Sequence, residues 1–253
     1  MAVLPHLLNN SETWENMEKD CIIELEKLQT LFLSVLLEVP LTCARPALAW
    51  DTATLSMQNR IIQKKLNLIN HIKSLDNESL AKLVFNEQRK YGYPGLVTET
   101  QKICQSLGIP DITDEKKRDM KKRQWKEKIK KVVEKKNETE LKDKIKDLEK
   151  LVIMKDESYE QKSYIAQMSL KDARMMFRIR TRTIKCKMNQ SSSRTNKEAL
   201  WQCSGCGCID TQSHIIHCTA YQNLREGKSI NNDDDLVEYF TQVMKIRDEM
   251  DLN

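Results

Sequence analysis

The 253-residue chain is poor in the residues that build sheets and tight turns. Aromatics make up 6% of it, and it holds only 6 glycines and 5 prolines. Sandwiches and barrels rest on β-branched and aromatic strands joined by frequent turns, so both are disfavoured. Long apolar runs are missing as well. The longest nearly uncharged stretch, Leu31 to Leu37, falls far short of the roughly 20 residues that span a bilayer. No Lys or Arg precedes the first apolar residues, as it would in a secretory signal. The expectation is an intracellular protein, nuclear or cytoplasmic, with no membrane contact. A Gly-rich phosphate loop is absent, and so is any Ser/Cys-His-Asp arrangement. Asp233-Asp234-Asp235 follows two asparagines and reads as a solvated helix start; Asp111 and Asp114 read as linker. The sequence therefore predicts no catalytic centre and no small-molecule substrate.

What is present favours helices. Charged residues are 31% of the chain and Lys, Glu, Leu and Gln abound, while the 40% apolar content suits several small cores better than one deep one. Apolar spacings of three and four predict a first helix over 12–38, with Asn10 or Ser11 as its cap and Ile22, Leu25, Leu28, Phe32 and Val35 on one stripe. Pro40 ends it, and Pro46 limits the next residues to a turn. A second helix is expected over 52–75 (Leu55, Ile62, Leu66, Ile69, Ile72). A third spans 78–90, capped by Asp76 or Asn77, and a fourth 98–106, with Gly108 just past its end. Residues 115–154 read as two helices, marked by Trp125, Ile129, Val132 and by Leu141, Ile145, Leu148, Val152, with a break at Asn137-Glu138-Thr139. Further helices are expected from Leu170 to about Ile184, behind a Ser169 cap, and from Leu236 to Glu249. The fold class is mainly α.

Charge is unevenly spread beneath a net +5. Residues 1–38 carry net −5, residues 114–136 net +7, residues 171–197 net +8 and residues 198–253 net −6. The 171–197 segment sets 9 basic groups against 1 acid, an imbalance that calls for an external anion. Arg174, Arg178 and Arg182, spaced by four, share one face of the predicted helix. Arg180 sits beside them, and Lys185 and Lys187 lie beyond. Guanidinium forks bind phosphate bidentately, so RNA or DNA is the expected partner. Pairing of this row with acids elsewhere, such as those of the C-terminal region, is the alternative.

Four of the eight cysteines (Cys21, Cys43, Cys104, Cys186) are scattered and read as small buried hydrophobes. The other four fall within 16 residues: Cys203, Cys206, Cys208 and Cys218. Cys203 and Cys206 have the two-residue gap of a metal knuckle, with Gly205 and Gly207 to let the backbone turn around an ion. Thr211 can cap a short helix that carries His214 four residues before Cys218. The expected ligands are Cys203, Cys206, His214 and Cys218, leaving out Cys208 and His217. Four protein ligands close a tetrahedron, so the zinc would be structural.

These segments resemble a known family. Trp201-Gln-Cys-Ser-Gly-Cys-Gly, followed by Asp-Thr-Gln-Ser-His214-Ile-Ile-His-Cys218-Thr-Ala-Tyr221-Gln-Asn-Leu-Arg225-Glu-Gly, resembles the C-terminal zinc knuckle of non-LTR (LINE-type) retrotransposon reverse transcriptases. Asp172-Ala-Arg-Met-Met-Phe-Arg-Ile-Arg-Thr-Arg and Lys187-Met-Asn189 look like the basic segment before that knuckle. Leu66-Asn-Leu-Ile-Asn-His71-Ile is similar to the thumb helix, and Leu8-Asn-Asn-Ser-Glu12-Thr-Trp14 to the end of the polymerase domain. Cys208 stands where that family usually carries an acidic residue, so it is not expected to ligate. The likeness implies a truncated product whose catalytic aspartates lie outside the chain, and which grips template RNA or target DNA. On this reading 1–38 ends the polymerase domain, 39–112 is a thumb-like helical bundle, 113–198 a charged helical linker with the basic row, and 199–253 the zinc knuckle and closing helix. A protein partner docking on the acidic C-terminal helix, with the zinc knuckle as an interaction module, is the competing expectation.

Overall fold

The structure is a computed structural model that describes residues 6–15, 18–39, 43–113, 121–148, 151–190 and 201–251. It is mainly helical, and no strand occurs among the described residues. No helix among them is long and apolar enough to cross a membrane. The chain divides into two compact units, Met1–Gln29 with Leu55–Asp143, and Thr30–Thr54 with Lys144–Asn253. We number the helices α1 Lys19–Leu36, α2 Arg45–Asp51, α3 Met57–Lys73, α4 Leu80–Tyr91, α5 Leu96–Ser106, α6 Lys122–Lys146, α7 Val152–Lys155, α8 Ser163–Gln167, α9 Leu170–Arg180, α10 Lys187–Gln190, α11 Gln212–His217, α12 Gln222–Arg225 and α13 Asp233–Asp251.

In the first unit α3 is buried on several sides. Its Ile62 and Leu66 pack with Cys104 of α5 and with Trp125, Ile129 and Val133 of α6. One turn on, Ile69 and Ile72 meet Phe85 of α4 and Val97 of α5. At its start Met57 and Ile61 meet Leu8. The helix begins later than periodicity suggested, because the Ser56 hydroxyl accepts the Asn59 N–H (3.1 Å) and fixes the cap there. Likewise α4 is capped by Ser79, not Asp76 or Asn77.

Two sequence expectations fail in this region. The break expected at Asn137 does not occur, and α6 runs unbroken from Lys122 to Lys146. Asn137 is buried in step with Trp125, Ile129, Val133, Leu141 and Ile145, all four residues apart. Its side-chain oxygen accepts the Ser56 N–H (3.0 Å) and the Asn59 amide (3.1 Å). Satisfied tertiary partners thus override a local helix breaker. The helix expected over 12–38 starts at Lys19, after a 3-10 turn at Ser11–Thr13. Its C-terminal half is also rotated relative to the expected stripe: Leu33 and Leu37 are buried, whereas Phe32 and Val35 are exposed.

The second unit contains a helix the sequence reading missed. Pro46 was expected to enforce a turn, but Pro in the first helical turn costs nothing, and α2 follows. It buries Ala47, Leu48, Trp50 and Asp51. Helix α9 buries Ala173, Met176, Phe177 and Ile179 and packs against α13. Ser169 caps it as expected, its hydroxyl accepting the Asp172 N–H at 3.2 Å. It ends at Arg180, four residues earlier than predicted, and Arg182 lies beyond it at φ 53°.

Candidate metal centre

Residues 201–210 form a narrow knuckle. Gln202 and Ile209 make an antiparallel bridge, and the Cys203 N–H donates to the Cys208 carbonyl (2.7 Å) while the Gly207 N–H donates to Cys203 (2.9 Å). Both glycines are required, for different reasons. Gly207 sits at φ 77°, a left-handed conformation that a side chain would strain. At Gly205 a Cβ would lie 2.5 Å from the Ala220 Cβ, too close for any other residue. Thr211 then caps α11 as expected, accepting the His214 N–H at 3.0 Å.

This geometry gathers Cys203, Cys206, His214 and Cys218, whose ligand atoms all lie within 4.8 Å of one another; the cluster could hold a metal ion. The Cys203 and Cys218 sulfurs are 3.8 Å apart, the Cys206 and Cys218 sulfurs 3.6 Å, and Cys206 Sγ lies 3.2 Å from His214 Nε2. Cys203 and Cys218 are buried, and the other two are half-buried. Burial opposes ionisation of Cys203, but hydrogen bonds from the Gly205 backbone and from His214 hold its thiol below the ordinary value. The Cys206 thiol is also lowered, chiefly by the Cys208 backbone N–H. Burial pushes the Cys218 thiol up to about 11. Cys218 lies one residue past the end of α11, not on the helix face that the sequence suggested.

Cys208 and His217 are exposed and stand outside the cluster. Replacing Cys208 with Ser should leave one metal per chain, because it stands outside the cluster and a serine keeps the backbone carbonyl and N–H through which it bonds Cys203 and Cys206. Replacing Cys203 with Ser should abolish binding. Metal analysis of the two purified variants checks both, and loss of metal from Cys208→Ser would redraw the ligand set.

The shell around the cluster was not legible in the sequence. Arg225 donates through Nη1 to the carbonyls of Ile216 (2.7 Å) and Cys218 (2.9 Å), satisfying the end of α11. The Tyr239 hydroxyl reaches the buried Ile215 carbonyl (2.6 Å) from α13. Asp210 is fully buried; its Oδ2 accepts the Lys187 backbone N–H (2.7 Å) and a guanidinium N–H of Arg247. Asp210 and Arg225 fall inside the stretch that carries the resemblance, but Arg247 lies 37 residues beyond Asp210, outside that stretch and with no periodic signal to link the two.

The basic row is largely matched by acids. Arg174 donates through Nε to the Leu36 carbonyl (2.9 Å) and pairs with Glu38. Arg178 also reaches Glu38, through its carbonyl and, at 3.9 Å, its carboxylate. Arg180 is half-buried between Asp51 (2.8 and 3.1 Å) and Glu157 (2.9 and 2.5 Å). The Tyr164 hydroxyl adds a hydrogen bond to Asp51 (2.8 Å). Burial works against the Arg180 charge, yet its bonds to Asp51 and Glu157 hold its pKa above the ordinary value. Lys185 makes an exposed pair with Asp248 at 2.8 Å. Lys187 donates to the Ser204 hydroxyl (2.8 Å), and neither it nor the exposed Arg182 has a carboxylate partner among the described residues. With the helix ending at Arg180, Arg182 does not share a helix face with Arg174 and Arg178.

Compared with protein-family models, with curated proteins and with solved structures, the chain matches none.

Proposed function

We propose that this chain is a non-catalytic nucleic-acid-binding region, stabilised by structural zinc, and related to the C-terminal part of non-LTR retrotransposon reverse transcriptases. The three-cysteine, one-histidine cluster carries the reading. Thiolates and imidazole are zinc donors, with bonds of about 2.3 and 2.0–2.1 Å. A tetrahedron with those bonds has sulfur–sulfur edges of about 3.7 Å and sulfur–nitrogen edges of about 3.5 Å. Three of the six separations are 3.8, 3.6 and 3.2 Å, and all six lie within 4.8 Å. All four positions belong to the protein, which leaves none for water or substrate and makes the site structural. RNA or DNA held by its phosphates, in the nucleus or cytoplasm, completes the proposal.

A second reading, a zinc-stabilised protein-interaction module, draws support from two observations. Acids pair with Arg174, Arg178, Arg180 and Lys185, and Leu31, Phe32 and Val35 of α1 are exposed at 47, 43 and 66%. Salt titration separates the two. A nucleic-acid binder should hold single-stranded RNA or duplex DNA with an affinity whose logarithm falls linearly with the logarithm of salt, at about −0.7 to −0.9 per phosphate neutralised. No binding to either at low salt would reject this function in favour of the interaction module.

A further inference from the structure

The acids that match the arginine row leave another cationic surface unmatched, on α6. From Lys121, just before its start, to Lys136 the chain holds Lys121, Lys122, Arg123, Lys126, Lys128, Lys130, Lys131, Lys135 and Lys136 against Glu127 and Glu134. The acids are not spread evenly around the helix. At 100° per residue, Glu127 and Glu134 fall on the side that carries Arg123 and Lys130. They pair there, Glu127 with Arg123 at 3.2 Å and Glu134 with Lys130 at 3.7 Å. Lys121, Lys128, Lys131 and Lys135 lie on the adjoining face, spaced by seven, three and four, with Gln124 filling the gap. All four lysines are exposed, and none has a carboxylate partner among the described residues.

A solvated helix face ordinarily alternates its signs. This one carries a single sign for four turns, while Glu127 and Glu134 on the neighbouring flank are taken up by Arg123 and Lys130. Lysines three and four residues apart repel one another, and an external polyanion relieves that repulsion. The row also has a shape. From Lys121 to Lys135 it is straight and about 21 Å long at 1.5 Å per residue. That length spans about six phosphates of one duplex strand at 3.4 Å each. No exposed aromatic interrupts it, since Trp125 is buried in the α3–α5–α6 core and its indole N–H donates to the Leu66 carbonyl (3.2 Å). An unpaired strand would need stacking platforms for its bases, and the row offers none. Lysine, a point charge without a fork, makes backbone contacts that carry no sequence information.

We propose that Lys121, Lys128, Lys131 and Lys135 form a docking surface for the phosphate backbone of duplex nucleic acid, without sequence preference. The inference deepens the nucleic-acid reading and rests on it.

The test is a salt titration of the zinc-loaded full chain on a duplex of about 20 base pairs. Four phosphate contacts predict that Lys121→Gln, Lys128→Gln, Lys131→Gln and Lys135→Gln together reduce the log–log salt slope by about 3.5 units, at about 0.9 per contact, and weaken binding roughly tenfold or more at 0.1 M salt. Gln is a good helix former, and circular dichroism verifies that the fold is kept. A matched pair of doubles removes equal charge from two faces: Lys128→Gln with Lys131→Gln should cost nearly two slope units, and Arg123→Gln with Lys130→Gln should cost none. Two failures are distinguishable. If wild type binds with a steep slope and the quadruple variant keeps that slope, the lysine row is not the docking surface and the nucleic-acid reading survives. If wild type binds no nucleic acid, that reading falls and takes this inference with it.

Discussion

Removing the metal should unfold the C-terminal module and spare the first unit. Structural zinc sites in small modules contribute about 10–16 kcal/mol of apparent binding free energy, and where the site does not exist before folding, that energy is folding energy. The knuckle has little else to hold it. Between Trp201 and Cys218 the fully buried apolar side chain is that of Ile215, and the bridge at Gln202 and Ile209 is isolated. Without an ion, the Cys203 and Cys218 sulfurs face each other at 3.8 Å in a buried site with no cation between them. Loss of the knuckle should then free Asp210, whose carboxylate bonds the start of α10 and Arg247 of α13. Amide exchange on the chelated protein should show protection lost over 201–225, at the His214 N–H that Thr211 caps among others. Protection should be retained in α3, α4 and α5, whose cores contain none of these residues. Unchanged exchange over 201–225 after complete chelation would show that the module folds without metal.

The contrast between the metal cluster and the rest of the second unit shows what a single sequence can reveal. The cluster is local. A two-residue gap, two glycines, a threonine cap and a histidine four residues before a cysteine all fall between Cys203 and Cys218, and each has its own stereochemical reason. Helices with strong periodicity, α3 and α4 among them, were legible for the same reason, with errors of a few residues set by which serine caps. The failures are long-range. Asn137 reads as a break until Asn59 and Ser56 are placed beside it, 78 and 81 residues away. The arginine row reads as surplus charge until Asp51 arrives, 129 residues from Arg180. In α1 the expected stripe omitted buried Gln29 and Ser34, which are polar and carry no hydrophobic signal. Gln29 earns its place by donating to the Leu55 carbonyl at 3.0 Å. Charge counting along the chain found the basic segments but could not tell which of them the fold itself neutralises.

Replacing Arg180 with Leu should therefore destabilise the second unit by about 3–5 kcal/mol, the usual consequence of removing one partner from a buried ion pair. Asp51 is fully buried, so its charge would lose both guanidinium contacts and keep, among side chains, the Tyr164 hydroxyl. A Lys in its place should rescue little, because a single ammonium cannot reproduce four bonds to two carboxylates. Lys185→Ala provides the scale. Its pair with Asp248 is more than half exposed on both sides, and such pairs contribute roughly 0–1 kcal/mol. Urea unfolding of metal-loaded protein, followed through the emission of buried Trp50 next to Asp51, measures both. The Arg180 cluster should also leave a mark in acid. Burial alone would raise the Glu157 pKa, but the hydrogen bonds and charges of Arg180 and Lys162 outweigh it and hold the carboxyl below its ordinary value. A depressed carboxyl stabilises the fold above its unfolded pKa, and that contribution disappears as the pH falls through the folded one. Wild type should lose stability across that acid window, and Glu157→Gln should lose less. An Arg180→Leu variant as stable as Lys185→Ala would show that the pair is no stronger than a surface contact, and would return Arg180 to the residues available for phosphate.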